Sequence, residues 1–388
     1  MRIAYAVHGY GRGHAARSLA VLTELAARHE VLVLAGTDAV PLLSRFPLVR
    51  IPCMGFAYDG TRLSSARTLR ENARLLAALA CGGGPVAALE ASLGRFRPDV
   101  VVSDSEPLSL RAAGRLGIPR IGLDHVGIIA WCRPRAPLAD ALQLGRDALA
   151  YRLLLGRPER VVVSSFFAAP ARRRDVVLVP PVLRARVLAA TPQDRGHLLV
   201  YLNQPRLLTP GVLSAIAGAG LPAVVYGAWD EHRAGSVRFK PIDEAGFVED
   251  LASARAVLCT AGHQLASEAL YLGKPMLLCP EDSAEQRLNA RELLRLGVAR
   301  SVDHARLDGP ALRTFLDGAD AHRQALAAVP RDGNARALEV LEGMGRDLAA
   351  GAGRRHRRPA ALGTAPAFEP DRRPVGVPGA APVRRAAT

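Results

Sequence analysis

A histidine and a carboxylate follow two separate apolar runs of this sequence, in positions where they could act together on a ligand. The run GYGRGH at residues 9–14 ends in His14, and its glycines permit a tight turn that brings backbone close to a ligand. The run VSDSEP at residues 102–107 places Asp104 directly after an apolar segment and Glu106 two residues later. A carboxylate beside an imidazole fixes its tautomer and raises its basicity, so His14 and Asp104 predict a general base. The alternatives are that His14 is a loop or capping histidine, and that Asp104 or Glu106 only caps the next helix.

Asp124 and His125 form a second pair at the end of an apolar run, RIGLD at residues 120–124. Polar residues at the carboxyl end of a strand lie at the ligand-binding edge of an open α/β sheet. His125 is therefore a second candidate for a ligand contact or for the base, and the choice between His14 and His125 is left open. The alternative is a loop pair whose polar atoms bind backbone groups.

The most specific pattern is AGHQLASEALYLGKPMLLCPEDSAEQRLNARELLRLGVA at residues 261–299. Its glycine turn joins a strand to a helix, and the free N–H groups at a helix start suit a phosphate or diphosphate. A carboxylate about one and a half turns into that helix could bind ribose hydroxyls, and polar residues at the start of the next helix suit a sugar. The residues concerned are Gly262, His263, Gln264, Glu268, Glu285, Gln286 and Asn289. Each alone could be a surface or capping residue, but their combined order and spacing predict a binding site.

The charge of the chain invites a different function. Its 388 residues carry 51 basic and 36 acidic side chains, for a net charge of +15. A strongly basic chain is compatible with nucleic-acid binding. However, aromatic residues make up only 5% and no recognition motif is present, so we expect no specific nucleic-acid partner. Residues 351–388 hold eight arginines against two acidic residues, which predicts a basic arm outside the fold.

The cysteines and the N-terminus suggest where the chain resides. The five cysteines are scattered, odd in number and contain no CxxC pair, so we expect neither a disulfide framework nor a zinc site. The N-terminus is typical of a strand and a polar turn rather than a signal peptide. No apolar run approaches the ~20 residues of a membrane span. We therefore expect a cytoplasmic protein with reduced thiols.

Apolar runs alternate with helix-like segments, which predicts an α/β fold of two doubly wound, Rossmann-like domains. Strands are predicted at 3–7, 30–35, 99–104, 120–124, 160–165, 197–202, 222–227, 236–240, 256–260 and 275–280. Helices are predicted at 14–28, 64–80, 85–95, 107–116, 137–154, 210–219, 245–254, 263–273, 284–296 and 308–317. The Pro- and Arg-rich stretch 179–196 reads as a linker. The predicted domains are 1–185 and 195–346, followed by a disordered basic tail at 347–388.

Segment 261–299 resembles the donor-binding region of GT-B glycosyltransferases of families 1 and 28, through its glycine turn, its helical glutamate, GKP and EQRLNA. FVEDLASARAVLCTAG (247–262), GRGHAARSLAV (11–21) and SDSEPLSLRAAGRLGIPRIGLDH (103–125) are similar to further stretches of such enzymes. The resemblance covers about residues 1–340. It implies two Rossmann-like domains that face a central cleft.

The resemblance also implies roles for individual residues. His14 would be the base, with Asp104 as its partner. The turn at 262–265 would hold the diphosphate, Glu268 the ribose, and Gln286 with Glu285 the donor sugar. Gly13, His125 and Asn289 are further predicted ligand contacts.

We therefore expect an inverting, hexosyltransferase-type glycosyltransferase that takes a nucleotide-diphosphate sugar, with UDP implied by the resemblance. No metal and no further cofactor are expected. One alternative is a UDP-sugar epimerase of the same fold, and one of a different class is a basic nucleic-acid-binding protein. The acceptor is left open between a natural product, a polysaccharide and a lipid-linked molecule, and so is the oligomeric state. Segment 62–80 predicts either a solvated helix or an amphipathic helix that touches the inner face of the membrane.

Overall fold

Two parallel β-sheets, each covered by helices, form the framework of the protein. The computed structural model describes residues 1–59, 62–326 and 332–353. Strands such as Arg2–Val7 and Val100–Asp104 are buried along almost their whole length, as expected for parallel strands with helices on both faces. The predicted fold class is confirmed: this is an α/β protein with two doubly wound, Rossmann-like halves.

The first half contains nine strands and nine helices within the described residues. The strands are β1 Arg2–Val7, β2 Glu30–Ala35, β3 Leu48–Arg50, β4 Tyr58–Asp59, β5 Arg62–Leu63, β6 Val100–Asp104, β7 Arg120–Asp124, β8 Arg160–Ser164 and β9 Val176–Val179. The helices are α1 Arg12–Ala26, α2 Val40–Leu43, α3 Ser65–Glu71, α4 Ala73–Cys81, α5 Pro85–Phe96, α6 Pro107–Arg115, α7 Gly127–Trp131, α8 Leu138–Leu155 and α9 Ala185–Ala189.

The second half repeats the alternation with shorter strands. The strands are β10 Leu198–Tyr201, β11 Ala223–Tyr226, β12 His232–Ala234, β13 Val237–Lys240, β14 Ala256–Cys259, β15 Met276–Leu278 and β16 Ala299–Ser301. The helices are α10 Pro210–Ala217, α11 Glu244–Ser253, α12 His263–Tyr271, α13 Ala284–Arg295, α14 Gly309–Asp317, α15 Ala319–Leu326 and α16 Asn334–Gly353.

Strand order places one switch point in the middle of each sheet. The first sheet runs β3-β2-β1-β6-β7-β8-β9 and is parallel throughout. The second runs β12-β13-β11-β10-β14-β15-β16, and only its edge strand β12 is antiparallel. The order reverses between β1 and β6 and between β10 and β14. In open α/β sheets, ligands bind beyond the carboxyl ends of the strands at such points.

A shared apolar cluster joins the two halves. Ile128 and Trp131 of the first half belong to one cluster with Leu251, Leu265 and Ala266 of the second. Burying apolar surface is the dominant favourable contribution to folding, so this cluster stabilises the pairing of the two halves as well as each half.

Short elements account for most differences from the sequence prediction. All ten predicted strands are present, whereas the sequence missed edge strands of two to four residues. The predicted helix at 64–80 is two helices, because Asn72 turns its amide to the Gly55 carbonyl at 2.8 Å and accepts the Gly55 N–H at 3.1 Å. The predicted linker 179–196 contains helix α9.

Helix α16 crosses back to the first half, contrary to the predicted boundary at 346. It runs to Gly353, and its Ala337, Leu338 and Leu341 are buried in the apolar cluster of the first sheet, beside Val100. The residues immediately after 346 are therefore helical, and the rest of the predicted tail, 354–388, lies outside the described residues. The sequence before α16 does not predict that this helix packs on the first sheet, because an apolar helix face can pack on either sheet.

Within the described residues, no single helix is long and apolar enough to cross a membrane. Only α4 and α5 together, bent by 55°, reach that length and apolarity.

The packing of α16 predicts that Leu341→Ala destabilises the protein. Leu341 is 3% exposed, and large-to-small changes at such positions cost about 2–5 kcal/mol. Urea unfolding followed by circular dichroism measures the change. Leu69→Ala, at a leucine that is 63% exposed, is the matched control and should cost little. Equal unfolding midpoints for the two variants would show that α16 does not stabilise the first sheet.

Candidate active site

The predicted site residues gather where the two switch points face each other. Helix α1 starts after β1 and helix α12 starts after β14, and these two helices are in contact across the cleft. A Cβ added to Gly13 in α1 would lie 3.4 Å from Cβ of Gln264 in α12. Gly13, predicted as a ligand contact, therefore lies at the contact between the two halves, where a Cβ would make only an ordinary van der Waals contact.

A glycine turn fixes the start of α1. A Cβ at Gly9 would lie 2.2 Å from the Gly36 carbonyl carbon, so only glycine allows this contact with the turn after β2. Gly11 adopts a φ of 80°, which favours glycine, and its N–H donates to Asp38 Oδ2 at 3.0 Å. The turn thereby holds the first residues of α1 above the sheet.

The structure brings together His14, in α1, and Asp104, at the end of β6, as the sequence predicts. His14 Nδ1 lies 2.7 Å from Asp104 Oδ1. The Asp104 side chain has no exposed surface, whereas the His14 side chain is 21% exposed. Because Nδ1 faces the carboxylate, Nε2 is the nitrogen that can accept a proton from a molecule in the cleft.

Two further α1 residues hold the same carboxylate. Arg17 donates through Nε to Asp104 Oδ2 at 3.0 Å and through Nη2 to Oδ1 at 2.6 Å. Ser18 Oγ donates to Oδ2 at 3.1 Å. Burial alone would raise the pKa of Asp104, but the charges of Arg17 and His14 outweigh it and hold this pKa below its ordinary value. Asp104 is therefore a carboxylate anion behind the imidazole.

His8 packs against the other side of this arrangement. Its ring meets the His14 ring edge-on, with centroids 5.3 Å apart. Burial, and then the proximity of His14, lower the pKa of His8 to about 3. His8 is thus a neutral packing partner that restrains the His14 ring.

Asp104 and Glu106 divide the two roles that the sequence left open. Glu106 caps α6, because its carboxylate accepts the Leu108 N–H at 2.9 Å and the Ser109 N–H at 2.7 Å. The capping alternative is thus correct for Glu106, whereas Asp104 pairs with His14.

His125 lies in a stack of three rings at the cleft. Its ring lies 3.7 Å from that of His263, and His263 lies 5.4 Å from Phe166, all close to parallel. His125 Nδ1 lies 2.9 Å from the Ser164 carbonyl oxygen, and its Nε2 lies 2.8 Å from Asn289 Oδ1. Burial lowers the pKa of His125 to about 4.

These contacts favour His14 over His125 as the base. Both nitrogens of His125 already have protein partners and the residue is only 2% exposed. His14 has one ring nitrogen engaged by a carboxylate and retains exposed surface. His125 therefore contributes to the wall of the cleft and to the contact between the halves.

Glu285 and Asn289 complete the wall from α13. Asn289 Nδ2 donates to Glu285 Oε1 at 2.6 Å and to the Ala261 carbonyl at 3.1 Å. Burial raises the pKa of Glu285 to about 7, against the opposing effect of the Asn289 hydrogen bond and the charges of His14 and Arg17. Glu285 can therefore donate or accept a hydrogen bond near neutral pH.

The start of α12 carries polar atoms that lack partners. Within the described part of the chain, His263 Nδ1 and Gln264 Oε1 are buried and have no hydrogen-bond partner. Buried polar atoms are almost always paired, so such atoms at a helix N-terminus suit a bound ligand. Burial, followed by the charges of His125, Arg17 and His14, holds the pKa of His263 well below its ordinary value.

Glu268 does not line the cleft in the way that its predicted role requires. Arg184 donates to it through Nε at 2.8 Å and through Nη2 at 2.5 Å, and Gln264 Nε2 donates to Oε1 at 2.9 Å. Glu268 is 1% exposed. Contact with a ribose therefore requires Arg184 to move away. No sequence pattern predicts this pair, because the two residues are far apart in the chain.

Gln286 is held by a neighbouring carboxylate, Glu281. The Glu281 N–H donates to Gln286 Oε1 at 3.0 Å, and Gln286 Nε2 donates to Glu281 Oε1 at 3.2 Å. Glu281 also accepts hydrogen bonds from Asn203 at 3.1 Å and, across the cleft, from Tyr58 at 3.0 Å. Glu281 is thus a second link between the halves that sequence reasoning did not single out.

For some of the site residues that sequence reasoning missed, the sequence contains a pattern that indicates their position. Arg17 and Ser18 lie three and four residues after His14, so they share its face of α1. Glu281 follows β15 as Asp104 ends β6, and residues after parallel strands gather at one edge. Tyr58 lies in the two-residue strand β4 and Arg184 caps α9, and no local pattern indicates their partners.

The raised pKa of Glu285 predicts a pH-dependent effect of Glu285→Gln on stability. A carboxyl whose folded pKa is about 7 binds its proton more tightly when folded, so its contribution to stability is lost as pH rises from 4.5 to 7. Glutamine mimics the protonated acid. The melting temperature of Glu285→Gln minus that of wild type should therefore be more positive at pH 8 than at pH 5, by roughly a few degrees. Glu249→Gln, whose side chain in the parent is 73% exposed, is the control. A difference that is the same at both pH values would contradict the assignment.

Comparison with known proteins identifies the family. The model of the family described as Glycosyl transferase family 1 matches residues 1–319. An uncharacterized glycosyltransferase of Methanosarcina acetivorans is 26% identical over 339 residues, which cover 79% of this chain and 86% of that protein. A similar protein of Methanosarcina mazei is 26% identical over 338 residues, with the same coverage.

Solved structures of glycosyltransferases share the fold. The glycosyltransferase of kitacinnamycin superposes with a TM-score of 0.60 at 21% identity, over 88% of this chain and 98% of that one. LpCGTa, solved in complex with UDP, gives a TM-score of 0.60 at 15% identity, over 89% of this chain and 99% of the other. These neighbours have the GT-B fold, in which two Rossmann-like domains face a cleft. Together with the match over residues 1–319, this shows that the chain belongs to glycosyl transferase family 1.

Proposed function

We propose that this glycosyltransferase transfers a sugar from a nucleotide-diphosphate sugar to an acceptor hydroxyl, with inversion at the anomeric carbon. The observation that carries the proposal is the His14–Asp104 pair at 2.7 Å, directly across the cleft from the start of α12. One side of the cleft thus offers a base, and the other offers N–H groups suited to a diphosphate.

His14 acts on the acceptor. Its Nε2 takes the proton of the acceptor hydroxyl while that oxygen bonds to the anomeric carbon. The imidazolium that forms is stabilised by Asp104, which remains ionised because Arg17 donates two hydrogen bonds to it. A direct displacement by the acceptor oxygen, on the face opposite the leaving group, inverts the anomeric configuration.

The start of α12 acts on the leaving group. As the bond from the anomeric carbon to the diphosphate oxygen breaks, the electron pair stays on the nucleotide diphosphate. The free N–H groups and the dipole of α12 stabilise this developing negative charge. The unpaired His263 Nδ1 would accept a hydrogen bond from a ligand hydroxyl, or donate one to a phosphate oxygen in the other tautomer.

The proposed donor nucleotide and sugar are supported by chemistry and by likeness to related folds. LpCGTa was solved with UDP and VinC with dTDP, so related folds bind pyrimidine nucleoside diphosphates, and we propose UDP for this chain. Gln264 Oε1 is an unpaired acceptor suited to a ribose hydroxyl. Glu268 would join it only if Arg184 turned away. Glu285 and Gln286 are proposed to bind the sugar.

Other features of the proposed enzyme rest on the sequence alone. A transfer that needs neither a metal nor a further cofactor, and a location in the cytoplasm, stay predictions. The candidate acceptors are natural products, polysaccharides and lipid-linked molecules. Neither the epimerase nor the nucleic-acid-binding alternative is supported by the comparisons.

The experiment begins with the donor. Melting curves with UDP- and dTDP-sugars identify the donor that stabilises the protein, because a ligand that binds only the folded state raises the melting temperature. Transfer to a panel of hydroxyl acceptors then follows, with the anomeric configuration of the product read by NMR. Incubation with donor alone tests the epimerase alternative, which predicts an epimeric nucleotide sugar without any acceptor.

His14→Ala should abolish most transfer while leaving donor binding intact. Loss of a general base lowers kcat by about 10²–10⁴-fold, whereas the donor binds mainly to the second half. His232→Ala is the matched control, because the His232 side chain is 50% exposed on edge strand β12. Full activity in His14→Ala would eliminate His14 as the base. Retention of configuration in the product would contradict the single displacement.

A further inference from the structure

Helix α8 is apolar on two faces, and only one of them is covered. Leu144, Ala148 and Leu155 are buried, and α8 packs on α6 and α7 of the first half and on α13 of the second. On the outside, Leu138 is 92% exposed and Leu142 is 87% exposed. Exposed leucines scattered singly are ordinary, but a continuous apolar patch on a surface marks an interaction site.

The outward leucines form one stripe. Leu138, Leu142, Leu149 and Leu153 are separated by four, seven and four residues, which places them on one face of a helix with about 3.6 residues per turn. Leu149 and Leu153 are 51% and 70% exposed. We call these four residues the α8 stripe. It runs the length of the helix, from its first turn to its last.

The acidic residues of α8 lie away from the stripe. Asp140 forms ion pairs with Arg287 and Arg291 of α13, so it faces the second half. Asp147 pairs with Arg146, which is 69% exposed and lies in helical register with the stripe. The outward face of α8 therefore presents leucine, alanine, glycine and one arginine.

Arginines gather beside the stripe without carboxylate partners. Arg133, just before α8, and Arg152 in α8 each lie close enough to Arg172, after β8, for their charges to act on it. Within residues 1–59, 62–326 and 332–353, no carboxylate forms an ion pair with any of the three. Arg152 donates to the Ala130 carbonyl and Arg172 to the Cys132 carbonyl instead. Partial burial and then these two neighbours lower the pKa of Arg172.

A basic cavity adjoins the first turn of the stripe. It measures about 780 Å³, and its charged lining residues are Arg133, Arg135, Arg291, Glu292 and Arg295. Arg291 pairs with Asp140 and Arg295 with Glu292, so the unneutralised charge of the cavity comes from Arg133 and Arg135. Pro137, the residue before Leu138, also lines it. The cavity thus joins the apolar stripe to positive charge that could bind anionic groups.

We propose that the α8 stripe and the arginines beside it dock on an anionic membrane surface. Leucines that enter the acyl boundary beside arginines that bind anionic headgroups are the combination that holds interfacial helices on membranes. A second copy of the chain is disfavoured as the occupant, because symmetric packing through the stripe would bring identical, unneutralised arginines together. The surface differs from segment 62–80, which the sequence suggested for such a contact, and it does not depend on the proposed transfer reaction.

Sedimentation with vesicles tests the proposal on the full chain. Wild type should bind vesicles of phosphatidylcholine and phosphatidylglycerol but not those of phosphatidylcholine alone. Two variants, one with all four stripe leucines changed to serine and the other Arg133→Gln/Arg172→Gln, should each bind at least about tenfold more weakly. Leu69→Ser, at an exposed leucine outside the stripe, is the matched control and should bind like wild type. The arginines after residue 353 are the same in every variant, so their contribution cancels.

A fluorescent probe reports the contact even if the fourfold variant does not fold. Leu142→Trp and Leu69→Trp are compared in a Trp229→Phe background, because Trp229 is 83% exposed. Anionic vesicles should shift the emission of Leu142→Trp to the blue and leave that of Leu69→Trp unchanged. Vesicle binding without this shift, or equal binding by the fourfold variant, would overturn the proposal. So would a wild-type dimer that the fourfold variant converts to monomer and that does not bind vesicles.

Discussion

Asp104 sits at the switch point of the first sheet with no exposed side-chain surface, and one helix supplies the hydrogen bonds to its carboxylate. His14, Arg17 and Ser18 of α1 all turn toward its carboxylate. A buried carboxylate is costly unless it is paired and hydrogen-bonded, and Arg17 supplies both. The same interaction therefore stabilises the packing of α1 on the sheet and orients the imidazole that faces the cleft. Removing the carboxylate would leave Arg17 buried without a counter-charge and His14 without a fixed tautomer.

The remaining site groups depend on the pairing of the two halves. Tyr58 binds Glu281, and His125 contacts Asn289, and in each pair one residue belongs to the first half and the other to the second. Arg184 stands between the halves and covers Glu268. These contacts close the cleft in the structure described. A nucleotide sugar would have to displace some of them, and the Arg184–Glu268 pair is the one that overlaps the predicted ribose position.

Features that depend on the local pattern of residues are predicted well from the sequence. Buried parallel strands read as apolar runs, and polar residues after them meet at one edge, so Asp104, His125 and the start of α12 were found. Prediction from the sequence fails where partners come from distant loops. Nothing near Glu268 indicates that Arg184 covers it, and nothing before α16 indicates that this helix returns to the first sheet. The helix predicted at 64–80 is interrupted at Asn72, because the Asn72 amide binds Gly55. Helix propensity alone does not predict such a contact.

The tautomer of His14 decides whether this residue can act as the base. Two-dimensional ¹⁵N–¹H NMR of imidazole-labelled protein, with the His14 signals assigned by their loss in His14→Gln, distinguishes the two neutral forms. If His14 is the base, its Nδ1 is protonated and faces Asp104, and its Nε2 is unprotonated and free to accept a proton. A neutral His14 with its proton on Nε2 would contradict this role, because that nitrogen could not accept a proton from an acceptor hydroxyl.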